Sequence, residues 1–121
     1  MITSDTICAQ ATAQGGAISV IRVSGQNAIE ITSRIFSKDI TKAKGYTLHY
    51  GHITDPQQEG ANIIDDVLVS VFRSPHSYTG EDSTEISCHW AITYIIMKYL
   101  LSFIGFCMNY WQPSHSIAAD N

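Results

Sequence analysis

The sequence predicts an α/β domain of the α+β kind, with helices flanking a mixed or antiparallel sheet. Several segments are rich in β-branched, aromatic or alternating apolar residues and are separated by turn-forming stretches, which is typical of strands. Two further segments place apolar residues three and four positions apart or in a longer run, which indicates helices. The length of 121 residues fits one domain comfortably and two only with difficulty. We therefore predict a single hydrophobic core.

The first half of the chain predicts two strands, a helix and a third strand. Residues Thr6 to Gln10 and Ala17 to Val23 are apolar and partly β-branched, and the glycine pair between them suits a tight connection. Apolar residues then recur along one side of a helix from about Asn27 to Phe36. The stretch from Tyr46 to Ile53 alternates and contains aromatic residues, which indicates a strand.

The second half predicts a hairpin partner, a loop, a short strand and a terminal helix. Turn-forming residues from Thr54 to Asn62 lead into an apolar strand from Ile63 to Phe72. A loop from Arg73 to Asp82 contains a proline and a glycine, and a strand from Thr84 to His89 follows it. The terminal helix is predicted from about Ala91 to Ile104.

The longest apolar stretch runs from Ile92 to Met108. It is interrupted by polar residues and is shorter than the ~20 apolar residues that span a bilayer, so we predict a buried helix and no membrane partner. The apolar pattern of the helix ends after Gly105. We therefore place one domain at 1–105 and a divergent tail, for which disorder is one expectation, at 106–121.

Composition excludes several classes of function. A net charge of −4 and an isoelectric point near 5.6 argue against a broad phosphate-binding surface, so direct RNA binding is not expected. The three cysteines form an odd set without CxxC spacing, and no basic and apolar leader opens the chain. A reduced cytoplasmic location fits these features best.

No catalytic or metal-binding set can be assigned from the sequence. The patterns of phosphate-binding loops, dinucleotide folds, zinc proteases and hydrolase elbows are absent. The five histidines show no ligand spacing. Cys88 and His89 are adjacent on a predicted strand, so their side chains point to opposite faces and make a poor nucleophile and base.

The best candidate for a binding site is the loop Ser77 to Asp82. It brings together an aromatic ring, a hydroxyl group, a flexible glycine and two carboxylates on the residues Tyr78, Thr79, Gly80, Glu81 and Asp82. A capped turn without a ligand explains the same composition equally well.

Two charged strand residues are further candidates. Arg22 lies in an apolar run, where its guanidinium either emerges on a solvated face or needs an anionic partner. Glu85, if it faces inward, would accept paired hydrogen bonds from an amino-pyrimidine-like ring. The simpler interpretation of Glu85 is a strand residue that faces solvent.

Three stretches together resemble a known family. Residues 5–12 are DTICAQAT, residues 15–25 are GGAISVIRVSG, and residues 74–82 are SPHSYTGED, followed by Glu85 and the pair Cys88-His89. In this order and spacing they resemble the N-terminal domain of MnmE, also called TrmE, the tRNA-modifying GTPase family. The resemblance covers the chain up to His89.

The resemblance implies a domain similar to folate-binding aminomethyltransferase modules. Such a domain pairs with a second copy and holds 5-formyltetrahydrofolate, or a related tetrahydrofolate, at the homodimer interface. Arg22 matches the family arginine that contacts the folate, and Glu85 matches the glutamate that holds its pterin-like ring. Tyr78, Thr79, Gly80, Glu81 and Asp82 match the loop that shapes the pocket.

In the full-length family the GTPase domain lies much later in the chain, and the partners are tRNA and the FAD-dependent protein MnmG. We therefore expect no GTPase activity, no GTP and no metal in this chain. Trp90-Ala91 stands where the family has two glycines, and a later family stretch with another folate-contacting lysine is not found. A structural dimerisation module with a vestigial pocket is the alternative.

Overall fold

The computed structural model describes residues 6–12, 16–56, 63–104 and 107–108. Within them, β-strands and α-helices follow each other as β1 Ile7–Gln10, β2 Ile18–Ser24, α1 Ala28–Ile35, β3 Thr47–Thr54, β4 Ile63–Phe72, β5 Ser83–His89, α2 Thr93–Ile104 and β6 Cys107–Met108. A one-turn 3₁₀ helix, Trp90–Ile92, leads into α2. Every predicted strand and helix is confirmed, with ends that shift by two residues or fewer. Only β6 was not predicted.

The strands form one sheet in the order β3-β4-β5-β2-β1-β6. The first five pair antiparallel, and the two-residue β6 runs parallel to β1, so the predicted mixed or antiparallel sheet is confirmed. The predicted β3–β4 hairpin is also present. Part of its turn, part of the β1–β2 connection, and residues 106 and 109–121 of the predicted tail lie outside the described residues.

Alternation along the strands places one face of the sheet in the core. Every second side chain of β2, β4 and β5 is buried, including Ile21 and Val23, Val67, Val69 and Val71, and Ile86. Both helices pack on this face through apolar residues such as Ile31 and Ile35 of α1 and Ile96 and Leu100 of α2. The opposite face of the sheet has no covering helix among the described residues. We call it the open face.

The terminal helix, predicted from about Ala91 to Ile104, ends at Ile104 as predicted. The prediction that it is buried holds for one side of the helix, on which Thr93, Ile96, Met97 and Leu100 lie. Tyr94, on the other side, is 80% exposed. A helix that packs on one face of a sheet buries only a stripe of its surface, however apolar its sequence. No helix in the described ranges is long and apolar enough to cross a membrane.

Two polar contacts join elements that lie far apart in the sequence. The hydroxyl groups of Thr32 on α1 and Thr84 on β5 lie 2.7 Å apart. The carboxylate of Asp65, at the start of β4, accepts the backbone N–H of His89 at 2.9 Å and lies 2.6 Å from His89 Nδ1. Asp65 is 9% exposed, and burial of a carboxylate is tolerated because both of its oxygens are bonded. It anchors the end of β5 where α2 begins.

Candidate functional site

Arg22 and Glu85 meet on the open face of the sheet. β2 and β5 are antiparallel neighbours, and their register places Arg22 opposite Glu85. Because Ile21, Val23 and Ile86 point into the core, strand alternation turns Arg22 and Glu85 to the other face. The guanidinium donates from both Nη2, at 2.7 Å, and Nε, at 3.0 Å, to the same carboxylate oxygen, Oε2.

This ion pair is only partly accessible, with 14% of the Arg22 side chain and 26% of the Glu85 side chain exposed. The sequence indicated that Arg22 needs either solvent or an anionic partner, and the partner is Glu85. The pairing itself was not predicted, because it joins residues that lie 63 positions apart in the chain. Among the described residues, the hydrogen bonds that the Glu85 side chain accepts both go to Oε2.

The tip of the loop Ser77 to Asp82 lies against the same pair. The ring of Tyr78 sits 4.3 Å from the guanidinium carbon of Arg22, a cation–π contact. The hydroxyl of Thr79 lies 2.6 Å from that of Ser24, the last residue of β2. The structure therefore brings four of the predicted residues, Arg22, Glu85, Tyr78 and Thr79, into one cluster.

The base of the loop is held by its own polar groups. Asp82 accepts the backbone N–H of Ser74 at 2.8 Å, and its carbonyl accepts the N–H of Gly25 at 3.0 Å. The hydroxyl of Ser74 donates to the carbonyl of Gly80 at 2.9 Å. Gly80 has a φ of +81°, a backbone conformation that favours glycine. Asp82 and Gly80 thus shape the loop, and Ser74 is a supporting residue that sequence reasoning missed.

The remaining predicted residues border a second, separate feature. An open cleft of about 480 Å³ is lined by Gln26, Ser74, Gly80, Glu81 and Asp82. Its volume lies in the range of small-molecule sites. Arg22 and Glu85 do not line it, so the loop divides the predicted site in two. The cluster of Arg22, Glu85, Tyr78 and Thr79 contains a charged donor beside a charged acceptor. The cleft is instead lined by carboxylates and by amide and hydroxyl groups.

Cys88 is buried near the end of β5, beside the hydroxyl of Thr93. The pKa of its thiol is raised to about 11, because burial raises it, the hydrogen bond to Thr93 lowers it and the negative charge of Asp65 raises it. A thiol that holds its proton at neutral pH is a weak nucleophile. His89 points away from it and bonds to Asp65 instead. No group of three metal-ligating side chains occurs within the described ranges.

The contact between Asp65 and His89 was not predicted from the sequence. One feature does indicate that Asp65 needs a partner, because it occupies a core-facing position of β4, in an alternation whose next members are valines. A carboxylate at such a position needs a buried partner. The alternation identifies the need for a partner but not which residue supplies it.

Comparison with known proteins finds similar sequences in one family. The family described as GTP-binding protein TrmE N-terminus matches residues 6–107, past the point at which the resemblance read from the sequence ends. A protein named tRNA modification GTPase MnmE from Bacteroides thetaiotaomicron is 56% identical over 104 residues, which are 82% of this chain and 21% of that protein.

Proteins of the same name from other bacteria are also similar. The one from Flavobacterium psychrophilum is 56% identical over 100 residues, covering 78% of this chain and 21% of that protein. The one from Thermoanaerobacter pseudethanolicus is 52% identical over 93 residues, covering 73% and 20% respectively. The chain thus spans about a fifth of the length of these relatives.

Proposed function

Because the chain belongs to the family of the TrmE N-terminus, we propose that it is the folate-binding module of a tRNA modification GTPase. In this proposal the ligand is 5-formyltetrahydrofolate or a related tetrahydrofolate, which serves as a one-carbon donor. The observation that carries the proposal is the Arg22–Glu85 pair, which faces outward beside the loop that bears Tyr78.

The chemistry of the pair suits the edge of a pterin-like ring. Such an edge presents neighbouring N–H donors, and a carboxylate accepts donors of this kind with short, charge-assisted bonds. Oε2 of Glu85 accepts the two hydrogen bonds from Arg22. In this proposal Oε1 accepts a hydrogen bond from the ligand. The guanidinium of Arg22 holds the carboxylate in place and offers positive charge to a carbonyl or an anionic tail.

Calorimetric titration of the chain with 5-formyltetrahydrofolate tests this proposal. We expect saturable heat for the unmodified chain and a loss of affinity of about tenfold to a hundredfold for Glu85→Gln, because a hydrogen bond to a charged group is lost. Glu30→Gln is the matched control, since Glu30 lies on α1 in an exposed ion pair with Arg34. Absence of saturable heat at millimolar ligand would argue against folate binding.

We also propose that the chain associates with a second copy, through the edge strand β3. The outer edge of β3 is already paired at His52, because the N–H of Ser37 donates to the His52 carbonyl at 2.9 Å. The proposed association uses the part of β3 before His52. The sequence from Tyr46 to Thr54 contains no lysine, acidic residue or proline, which are the residues that usually protect a sheet edge. Leu48 is 62% exposed and Tyr50 is 58% exposed, so two large apolar side chains lie on the open face beside this edge.

Sedimentation equilibrium tests the association. We expect a dimer of the unmodified chain that dissociates when Tyr50→Lys places a charge on the β3 edge. The same change at Tyr94, which is exposed on α2, is the control and leaves the dimer intact. A monomer at every concentration would contradict the proposal. A dimer that forms normally while folate never binds would favour the alternative, a structural dimerisation module with a vestigial pocket.

The wider role follows from the names of the relatives. We propose that the chain takes part in tRNA wobble-uridine modification in the cytoplasm, with tRNA and the FAD-dependent protein MnmG as partners of the complete protein. The relatives that it resembles are named tRNA modification GTPases, and this chain corresponds to about a fifth of their length. The acidic charge of −4 favours contact with tRNA through other parts of the protein.

A further inference from the structure

Two of the three cysteines lie together at one edge of the sheet, away from the candidate site. Cys8 belongs to β1, and the backbone register of the parallel pair places it directly opposite Cys107 of β6. We propose that Cys8 and Cys107 form a reversible disulfide bond, which we call the redox lock. It fastens the segment that follows α2 to the edge of the sheet, and it is independent of folate binding.

Strand register selects Cys107 as the partner of Cys8. Neighbouring strands lie roughly 4.8 Å apart, and a disulfide joins residues whose Cα atoms are about 4.4–6.8 Å apart. Cys88 lies on β5, and β2 separates that strand from β1. Through β2, the residue of β5 that aligns with Cys8 is Thr84, which lies a full turn of the pleat and more before Cys88. Cys88 is therefore out of reach of Cys8 unless the backbone moves.

The state of the sulfur atoms agrees with this pairing. Cys8 is disulfide-bonded in the structure, whereas Cys88 is a free thiol. The sequence contains three cysteines, so Cys107 is the partner that a single chain can offer. Cys88 is a poor substitute, because the pKa of its thiol is raised to about 11, mainly by burial, and a protonated thiol does not attack a disulfide.

The bond decides how firmly β6 is held on the sheet. β6 forms two residue pairs with β1, in the parallel arrangement that is slightly less stable per residue than the antiparallel one. So short an edge strand opens at little cost in free energy. A disulfide adds a covalent tie at one of the two pairs and closes a loop of about 100 residues, which restricts the unfolded chain. Reduction leaves β6 held by the two backbone pairs.

The same short pairing makes the bond reversible. Cys8 is fully buried, so a reductant reaches the bond when β6 lifts from β1 and not before. Protein disulfides in a reducing compartment are usually transient and serve redox sensing. The redox lock is therefore a site of reversible oxidation, closed by a small disulfide and opened by a small thiol.

Glutathione disulfide is an oxidant of the required class. One cysteine thiolate attacks a sulfur of glutathione disulfide, which breaks that S–S bond and releases a glutathione thiolate. The second cysteine thiolate attacks the mixed disulfide, forms the Cys8–Cys107 bond and releases the other glutathione. The protons of the two cysteine thiols end on the two glutathione thiols, and the two electrons lost by the cysteines reduce the glutathione.

Oxidation of the complete chain with glutathione disulfide tests the pairing. Trypsin places the three cysteines on separate peptides, which span residues 1–22, 74–98 and 99–121. We expect mass spectrometry to find 1–22 joined to 99–121, and excess reduced glutathione to separate them in the folded chain. A link to 74–98, a link between two copies of one peptide, no link, or a link that resists glutathione would overturn the proposal.

Thermal unfolding tests what the redox lock does. We expect the Tm of the oxidised chain to fall by about 10 °C or more on reduction, because the constraint on the unfolded chain is lost. Cys107→Ser should show no effect of the reductant. This variant leaves the buried Cys8 in place, so the core is not disturbed. Cys88→Ala is the matched control and should keep the full shift. An equal Tm with and without reductant in the unmodified chain would contradict the redox lock.

Hydrogen exchange locates the effect. After reduction, the backbone amides of β6 should exchange about tenfold faster or more, while those of β4 and β5 stay unchanged. Unchanged exchange at β6 would overturn the proposal, because the disulfide would then not be what holds this strand on the sheet.

Discussion

Replacing Ile86 by alanine lowers the free energy of unfolding by about 2–5 kcal/mol. Ile86 lies at the centre of β5, is fully buried, and is flanked by Ile21 on β2 and Val69 on β4. Truncation removes apolar atoms from contact and leaves a cavity, because three paired strands cannot close together around the gap. The loss is large beside the roughly 5–15 kcal/mol by which domains of this size are stable.

Urea denaturation followed by circular dichroism measures this change. Ile18→Ala is the matched control, because Ile18 lies on the neighbouring strand β2 but is 55% exposed. We expect the control to lose less than about 1 kcal/mol. Equal losses for the two variants would show that the sheet is not packed against the helices through Ile86.

Replacing Arg22 by alanine also destabilises the fold, by about 1–3 kcal/mol. The change leaves the Glu85 carboxylate, which is 26% exposed, without the guanidinium that binds it, and it removes the group beneath Tyr78. A half-buried carboxylate without a partner loses hydration that no bond replaces. Glu85→Ala leaves Arg22 in the converse position, so the double change should cost less than the sum of the two single changes.

A double-mutant cycle measures the coupling of this pair. We expect about 1–2 kcal/mol for Arg22 and Glu85, against about 0.3–0.5 kcal/mol for Arg34 and Glu30 on α1. The second pair is the control because its side chains are 54% and 57% exposed and water competes with the contact. Couplings of the same size in both cycles would mean that the position on the sheet adds nothing to the strength of the pair.

The secondary structure was determined almost entirely by the local sequence. Alternation from Ile63 to Phe72 and the spacing of apolar residues before Phe36 each reflect one element that turns one side to the core, and this requirement acts within a few residues. The candidate residues were also visible in the sequence, partly as charged or aromatic residues in unusual places and partly through resemblance to the MnmE family. The extent to which α2 is buried was not visible in the sequence, because composition does not indicate which side of a helix contacts the sheet.

Only the tertiary structure decided how the candidate residues are combined. Arg22 meets Glu85 because β2 pairs with β5 in one register, and a shift by a single residue would turn one of the two side chains into the core. Asp65 finds His89, and Thr79 finds Ser24, through the same long-range pairing. The sequence by itself determined which residues need partners, because burial and charge are local properties. The fold decided which partners they have, because strand register is set by the packing of the whole sheet.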